Sequence, residues 1–520
     1  MGQSKHHPIP RSTPFPLRWL ILLLLLPAVV FAQAADEEEA STPAGDALEG
    51  EASSFDKEAA GTPVRPEPES EPAAEEAPAH ASTEKDRAWE VDGYLRSSLR
   101  FRSADGENDG DLFADLLTDV KGTKGKNPWS FRFFGRLHWD FIGDQENDPT
   151  AMLRDVWDNY GGAAQVQVYE VFAKVDNLGK QGNSLTLGRQ FIDDGIWLQF
   201  DGARYDWIID PSQGLDLSLF GGVPVLLWTE NAWSDGNWSV GLVGRWKPGK
   251  QTRLRLEYYH ISQYFAGIND GINDPTVAPV VIPATRLNDD FLGFSVWHDF
   301  NPATHVYGRF TLLEGDPNEL ELRARWRSKD GKWLVVADWY NLFTRLTNVT
   351  NDLTPYVPMM GVYEPFGKLG GRATYRPNDR WVLQGGLAYR ALFDEIDEGT
   401  YNREYTYYYF TVSVLDLADQ HMDITANAIG YAASGGSDVA TITGDIAWRF
   451  DEKWRASIGI DYQLYKYDYL QNAEREDVYT YYLRVRWKAT KTQEASLLFS
   501  IDDDRYTEWI SLFLYWTWRF

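Results

Sequence analysis

The sequence predicts an all-β protein, a transmembrane antiparallel up-and-down β-barrel of about 22 strands, with 18 to 20 strands as the smaller alternative. Two observations predict this fold. Aromatic residues make up 15% of the 520 residues, with 22 Trp and 28 Tyr, although 24% of the residues are charged. From Trp89 to Phe520, apolar and polar residues alternate in one segment after another. Barrel strands alternate in this way because one side faces lipid and the other faces the lumen, and aromatic side chains mark both membrane interfaces.

The sequence pattern of the first 34 residues predicts a cleaved export signal. Lys5, Arg11 and Arg18 precede a 13-residue apolar run over 19–31, and Ala32-Gln33-Ala34 gives the small-x-small pattern of a cleavage site. The apolar run is shorter than the ~20 residues of a membrane-spanning helix, which argues against a permanent anchor. The chain has no Cys, which excludes disulfides, thiolate metal sites, c-type haem attachment and a lipidated N-terminal Cys.

Residues 35–87 predict a disordered periplasmic tail. This segment is rich in Ala, Glu and Pro and carries 16 acidic and four basic side chains. It contains too few large apolar residues to bury a core of its own. A solvated linker is the main interpretation, and a docking segment for a periplasmic partner is the alternative.

The barrel domain is predicted over residues 88–520. In the segment 129–141 the odd positions are apolar, whereas the even positions include Arg132, Arg136 and Asp140. Strand side chains point to opposite faces in turn, so each such segment has one apolar and one charged face. A soluble β-sandwich shows the same alternation around a modest core, but here roughly 20 such segments follow one another without a second fold between them.

The connections between these segments alternate in length, as they do in outer-membrane barrels, which have short periplasmic turns and longer outer loops. This places both chain termini of the barrel domain in the periplasm. Two regions are ambiguous, because 112–122 also fits a loop and the 184–210 hairpin also fits an irregular structure. The short set comprises 248–251, 301–304, 377–380 and 451–453, and the long, acidic set comprises 144–163, 266–285, 346–365, 393–402 and 469–477.

The C-terminal segment gives the most specific indication. Apolar residues stand at every second position from Ile510 to Phe520, the last residue. This pattern resembles the terminal-strand signature of outer-membrane proteins, in which a final aromatic residue is recognised by the barrel assembly machinery. The resemblance implies that Trp516, Trp518 and Phe520 form the assembly signal. It also implies location in the outer membrane of a Gram-negative bacterium, with lipid and the assembly machinery as partners.

The polar phase of the strands is predicted to line a pore. The net charge is −27, and the signal (+3) and tail (−12) leave −18 for residues 88–520. The predicted inward positions are nevertheless rich in Arg, which places the excess acid in the loops and favours anions in the lumen. The alternative is that these arginines pair with carboxylates on neighbouring strands as ordinary wall residues. The pore-lining candidates are Arg96, Arg100, Arg132, Arg136, Arg204, Asp206, Arg245, Arg253, Arg255, Arg323, Arg325, Arg372, Arg376, Arg390, Arg449, Arg455, Arg484, Arg486 and Arg519, against the further inward acids Glu90, Asp92, Asp140, Glu170, Glu257, Glu321, Asp445 and Asp461.

Two short segments carry a family resemblance. Leu185-Thr-Leu-Gly-Arg-Gln190 and Phe200-Asp-Gly-Ala-Arg-Tyr205 resemble a hairpin of the alginate-export family of outer-membrane porins. The resemblance implies a passive channel with an arginine-rich lumen that favours a polyuronate. It also implies that the hairpin is a wall segment typical of the family. Strict alternation puts Arg189 on the apolar phase, so it is expected either to be turned by a bulge or to lie above the membrane. The residues concerned are Gly188, Arg189, Gln190, Asp201, Gly202 and Arg204.

The predicted function is passive transport of small or polymeric solutes, anionic or carbohydrate, without cofactor, metal or nucleic acid. The eight His are scattered, and His138, His260, His298 and His305 show no spacing of a catalytic triad or metal site. A gated transporter would require a folded plug domain, for which the 53-residue tail is unsuited. The main alternative is a barrel that sheathes a multihaem cytochrome. Residues 151–160 are predicted as a short helix that folds inward and narrows the pore.

Overall fold

The computed structural model describes residues 89–104, 106–122, 127–142, 153, 164–192, 198–225, 236–265, 268–269, 281–282, 285–344, 364–394, 404–417, 421–433, 439–468, 473–504 and 507–520. Every described residue belongs to one compact unit, Ala73–Phe520. The predicted signal peptide and acidic tail lie outside the described residues, as do most of the predicted long loops.

The described residues form strands and one 3₁₀ turn, Pro211–Gln213. Alternating apolar and polar residues, rich in Tyr, Trp, Val and Leu, account for the strands. The strands are β1 (Trp89–Ala104), β2 (Glu107–Gly122), β3 (Trp129–Ile142), β4 (Ala164–Asp176), β5 (Ser184–Ile192), β6 (Leu198–Asp210), β7 (Leu215–Pro224), β8 (Trp238–Trp246), β9 (Thr252–Phe265), β10 (Ile268–Asn269), β11 (Val281–Ile282), β12 (Thr285–Asn301), β13 (Thr304–Leu313), β14 (Asp316–Arg327), β15 (Trp333–Leu342), β16 (Phe366–Tyr375), β17 (Trp381–Leu392), β18 (Tyr405–Val414), β19 (Met422–Ala433), β20 (Val439–Arg449), β21 (Trp454–Asp468), β22 (Ala473–Lys488), β23 (Gln493–Asp503) and β24 (Glu508–Arg519).

Twenty-two of these strands form one closed antiparallel sheet, and β10 and β11 form a separate two-stranded ladder. Each barrel strand pairs with its neighbours in the chain, with β9 paired to β12 across the small ladder. The sheet closes because β1 also pairs with β24, from Tyr94 opposite Arg519 to Ala104 opposite Trp509. The predicted fold class and strand number are therefore confirmed.

The last residue takes part in this closure. The backbone amides of Gly93 and Phe520 each donate to the carbonyl oxygen of the other residue at 3.0 Å. The Phe520 ring occupies the space that a side chain at position 93 would need, so glycine is required there. Trp518 packs against Phe520 with tilted rings at a centroid distance of 5.3 Å. The residues predicted as an assembly signal thus stand at the seam of the barrel, while their recognition stays a prediction.

The two ends of the barrel differ in their connections. We call the end where β1 begins and β24 ends the turn end, and the opposite one the loop end. The predicted short connections at 248–251, 301–304, 377–380 and 451–453 all lie at the turn end. Asp210 and Asp330 stabilise two of its turns, and hydrogen bonds from Ser212 and Ser328 respectively lower the pKa of each carboxyl.

The structure corrects one predicted connection and decides one ambiguous region. The prediction of a long loop over 469–477 is wrong, because β21 runs to Asp468 and pairs there with Ala473 of β22. The ambiguous region 112–122 is strand, since β2 pairs along its full length with β1. No helix among the described residues has the length and apolar composition of a membrane span.

Candidate functional site

The sheet has two chemically different faces. Leu187, Leu369, Leu387 and Ile442 share one face and are 51, 63, 59 and 60% exposed, respectively. Side chains at the alternate positions form ion pairs across strands instead. Because successive side chains point to opposite faces and the register links each strand to the next, both faces are continuous around the sheet. We call them the apolar face and the polar face.

The predicted pore-lining residues all lie on the polar face, as their alternation requires. They include Arg96, Arg100, Arg132, Arg136, Arg204, Asp206, Arg245, Arg253, Arg255, Arg323, Arg325, Arg372, Arg449, Arg484 and Arg486.

An arginine–aspartate ladder covers β1, β2 and β3. Asp109, Asp111, Asp115 and Asp119 stand at every second or fourth position on the polar face of β2. The first three are almost fully buried, and such buried charges require partners. Each carboxylate accepts a hydrogen bond from an arginine of a flanking strand: Arg102 to Asp109 at 2.7 Å, Arg100 to Asp111 at 2.8 Å, Arg136 to Asp115 at 2.7 Å and Arg132 to Asp119 at 2.7 Å.

The ladder corrects the prediction that this part of the wall is net basic. The four aspartates were missed because β2 also read as a loop, and their period-two spacing was the signal that could have found them. Asp111 additionally contacts His138 at 2.7 Å. The carboxylate oxygens of Asp109, Asp111 and Asp140 lie within 4.8 Å of one another, and Arg100 and Arg102 form ion pairs with the first two of them.

A second set of ion pairs lies on β6, β7 and β8. Arg204 donates to Asp206 at 2.8 Å. Asp206 also accepts from Ser218 at 2.5 Å. Arg245 donates to Asp216 at 2.7 Å. These arginines are therefore wall residues with their charge locally balanced.

A third network is centred on Glu257 of β9, whose side chain is fully buried. Its carboxylate lies 3.2 Å from Arg255 and accepts a hydrogen bond from Arg309 of β13 at 3.1 Å. To reach β13 the side chain passes over Gly293 of β12, where any side chain would collide with it. Further around the sheet, Arg323 donates to Asp338 at 2.7 Å.

Five of the fifteen residues just named keep an unbalanced charge, as do Arg376, Arg455 and Arg519 among the other predicted inward arginines. Among the described residues, none of the five contacts a carboxylate, although Arg484 lies over the Tyr482 ring at 5.1 Å. All five occupy the half of their strand nearer the turn end. Arg455 stands directly between Arg449 and Arg486 in the register, so like charges are adjacent there. The five residues are Arg253, Arg325, Arg372, Arg449 and Arg484.

The hairpin that carries the family resemblance has an unusual geometry. Gly188 has a φ of 126°, and it faces Gly202 directly in the register. Arg189 and Asp201 also face each other, on the apolar face, and form two hydrogen bonds of 2.7 and 2.8 Å. Arg189 is therefore not turned to the polar face by a bulge, as one expectation held; it remains outward with a paired carboxylate.

The bulge lies on the neighbouring strand instead. The register of β3 and β4 skips Tyr169, and β4 pairs with β5 only from Val171, which stands opposite Arg189. Side chains bond the β4 carbonyls beside this interruption. Arg189 donates to the carbonyl of Val168 at 3.0 Å, and Gln199 donates to that of Tyr169 at 2.5 Å. Side chains of the β5–β6 hairpin thus bond the backbone where the hydrogen-bond ladder of β4 is interrupted.

Leu153 is the described residue of the segment 151–160, whose predicted helix lies otherwise outside the described residues. Its side chain is fully buried with Ala104 and Trp509, both at polar-face positions near the loop end. Its carbonyl oxygen accepts a hydrogen bond from Arg102 at 2.7 Å. The β3–β4 connection therefore touches the polar face at this point.

Comparison with known proteins does not assign this chain to a family. No family model matches the chain, and no curated protein matches it. Similar solved structures include Acinetobacter baumannii OccAB4, at 10% identity over 84% of this chain and 99% of that chain with a TM-score of 0.41. Pseudomonas aeruginosa OpdK with vanillate shows 9% identity over 83% and 99% with a TM-score of 0.41. The P pilus usher PapC translocation pore shows 8% identity over 83% and 99% with a TM-score of 0.43.

At such identities and scores, these likenesses bring neither a family nor a solute to this chain. The barrel architecture rests on its own strand pairing, and membership of the alginate-export family stays a prediction.

Proposed function

We propose that this protein is an outer-membrane channel for passive transport, in which the polar face lines the lumen and the apolar face contacts lipid. The observation that carries the proposal is the closed 22-strand sheet with one face of exposed, large apolar side chains and one face of charges. Transmembrane barrels have this division, with an apolar band outside and a polar interior. The predicted location in a Gram-negative outer membrane belongs to the same proposal, as do the cleaved signal peptide and the acidic tail.

We further infer a preference for anionic solutes. Most of the charge on the polar face is paired, so selectivity depends on the residual charge. The five arginines without a carboxylate partner supply positive charge, and they lie together in the turn-end half of the barrel. Rings of Arg in a confined pore attract anions. A polymeric or monomeric acidic carbohydrate fits this arrangement and the family resemblance.

The test is single-channel conductance and ion selectivity of the refolded protein, residues 35–520, in a planar bilayer. The expected result is a steady conductance whose reversal potential in asymmetric salt is shifted towards the equilibrium potential of the anion. A silent barrel that co-purifies with a cytochrome would instead support the alternative, a sheath for an electron conduit. A cation-selective pore would refute the proposed role of the unpaired arginines.

A further inference from the structure

Strand β18 presents a row of uncharged side chains on the polar face. Three tyrosines come first from the loop end, and two hydroxyl residues follow towards the turn end: Tyr405, Tyr407, Tyr409, Thr411 and Ser413. The whole strand contains no charged residue, whereas the ladder of β1–β3 is built from arginines and aspartates. A solute that passes along β18 therefore meets rings and hydroxyl groups instead of ions.

The strands on both sides extend this uncharged surface. The polar-face residues that stand opposite the last four residues of the row carry no charge either. They are Ala388, Gly386, Gln384 and Val382 on β17, and Tyr431, Ile429, Asn427 and Thr425 on β19. In the register, charges begin only at the edges of this surface, with Arg390 and Asp423 at its two ends and with Arg372 and Asp445 one strand to either side. The uncharged surface thus spans three strands.

The tyrosine rings of this surface form a connected series. Tyr431 lies between Tyr405 and Tyr407, at centroid distances of 5.5 and 4.7 Å. Tyr407 also packs on Tyr409 at 5.7 Å. All four side chains are half-buried, so each keeps part of its surface exposed. Tyrosine offers a large and rigid contact area at a low cost in conformational entropy, and the four rings therefore form a firm surface for a flat ligand.

Gly386 determines how one of these rings lies. The Tyr409 ring occupies the space that a side chain at position 386 would need, so this ring lies over the backbone of β17. Gln384 holds the ring there by donating a hydrogen bond to the Tyr409 hydroxyl at 2.8 Å. A ring that is laid on the wall turns its opposite face to the space in front of the wall. Tyr409 is therefore a fixed platform on which a second flat group can stack.

Hydrogen-bonding groups continue the series towards the turn end. The Thr411 hydroxyl donates to the side-chain oxygen of Asn427 at 2.8 Å, and the hydroxyls of Ser413 and Thr425 lie 3.0 Å apart. A hydroxyl group has one proton and two lone pairs, so a single hydrogen bond does not exhaust it. The rings are thus followed by groups that can exchange hydrogen bonds with the hydroxyls of a ligand.

We propose that this tyrosine track, made of Tyr405, Tyr407, Tyr409 and Tyr431 with Thr411 and Asn427, binds a neutral oligosaccharide of pyranose rings. The proposal rests on the proposed function, because it requires the polar face to line the lumen. It goes beyond an anion preference, because no charged group takes part in binding. The C–H face of a pyranose ring is apolar and packs on an aromatic ring, whereas its hydroxyl rim requires hydrogen-bond partners. Aromatic surfaces with a few polar groups are typical of small-molecule sites.

The experiment titrates cellotriose into the open channel of the refolded protein in a planar bilayer. We expect concentration-dependent block of the current, because a trisaccharide stacked on the track obstructs the passage of ions. Sorbitol has the hydroxyl groups of a hexose but no ring, and it should not block at the same concentration of hydroxyl groups. Equal block by sorbitol would overturn the role of the tyrosine rings. Block by a galacturonate trimer that is stronger than block by cellotriose by ~10-fold or more would show that charge decides binding, and would overturn the neutral ligand.

Variants that remove one ring locate the site. Tyr407→Ala and Tyr409→Ala should each weaken block by ~2- to 10-fold, the range expected when one aromatic contact is lost. Tyr407→Phe keeps the ring and should retain most of the block. Tyr482→Ala is the matched control, since the Tyr482 ring also lies on the polar face over a glycine, Gly459, but its hydroxyl donates to Asp445 at 3.0 Å. Equal weakening in the track and control variants would refute the location.

Gly386→Ala tests the geometry without removing a ring. The added methyl group displaces the Tyr409 ring from the wall, so block should weaken although all four tyrosines remain. Gly385→Ala is the control, because its methyl group points to the apolar face and meets its nearest atom at 3.5 Å. Block that is unaltered in Gly386→Ala would refute the role of the Tyr409 platform.

The channel and the track fail in different ways. A conducting barrel that cellotriose does not block would overturn the track and leave the channel in place. If the barrel does not conduct, calorimetric titration of the folded protein with cellotriose, in a detergent without a sugar head group, tests the track alone. A heat of binding that is lost in Tyr409→Ala would support the track, and no heat of binding would overturn it. Heat-modifiable migration on gels shows that each variant has folded.

Discussion

Glu257 reaches from β9 across β12 to Arg309 on β13, and the two side chains meet at 3.1 Å directly above Gly293. The absence of a side chain at position 293 allows one carboxylate to hold two arginines from non-adjacent strands. Which ion pairs form on the polar face therefore depends on how three neighbouring strands are aligned, and cannot be read from a single strand.

Gly293→Ala should destabilise the barrel because the added methyl group displaces the Glu257 carboxylate from Arg309. Breaking a buried ion pair costs about 3–5 kcal/mol, so the urea midpoint for unfolding in lipid vesicles should fall clearly. Gly444→Ala is the control, since the nearest atom to its methyl group is Ile460 Cγ2 at 3.9 Å. An equal effect of both substitutions would contradict this account.

Ion selectivity should follow the unpaired arginines. Replacing Arg253, Arg325, Arg372, Arg449 and Arg484 together by Gln should strongly reduce the anion preference, because fixed charge in the lumen sets the local ion concentration. The double variant Arg323→Gln/Asp338→Asn removes an ion pair without changing net charge, and its reversal potential should match the wild type. A preference that persists in the fivefold variant would place its origin elsewhere.

Conductance should rise when the contact of Leu153 with the wall is lost. Arg102→Met removes the donor to the Leu153 carbonyl, and deletion of residues 151–160 removes the residue itself. If the β3–β4 connection narrows the pore, both changes increase single-channel conductance, the deletion more than the substitution. Unchanged conductance in the deletion variant would show that the segment does not obstruct the pore.

The outward pair Arg189–Asp201 should be coupled energetically. Asp201→Asn leaves the Arg189 charge uncompensated on the apolar face, which should lower the free energy of unfolding by about 3–5 kcal/mol. The double variant Arg189→Gln/Asp201→Asn removes both charges and should recover part of that loss. A double-mutant cycle in lipid vesicles measures the coupling, and additive losses would mean that the pair contributes nothing as a pair.

The sequence was sufficient for the architecture because period-two alternation reports the two faces of each strand independently of its neighbours. It placed Arg96 and Arg325 on the polar face, and it counted the strands correctly. It was insufficient for the charge balance, because whether an arginine is paired depends on the register of adjacent strands. Arg136 meets Asp115, whereas Arg372 meets no carboxylate of the described residues, although both occupy equivalent positions in the pattern. The outward Arg189 likewise needed the partner Asp201 to be explained.

Thiol accessibility tests the central claim, that the polar face lines an open aqueous lumen, most directly. The chain has no Cys, so single substitutions at the adjacent residues Ser496 and Leu497 of β23, which point to the polar and apolar faces, carry the only reactive thiol. A charged, water-soluble methanethiosulfonate should change the single-channel current of Ser496→Cys and leave that of Leu497→Cys unaltered. Modification of Leu497→Cys alone, or an unaltered current in both variants, would contradict the account.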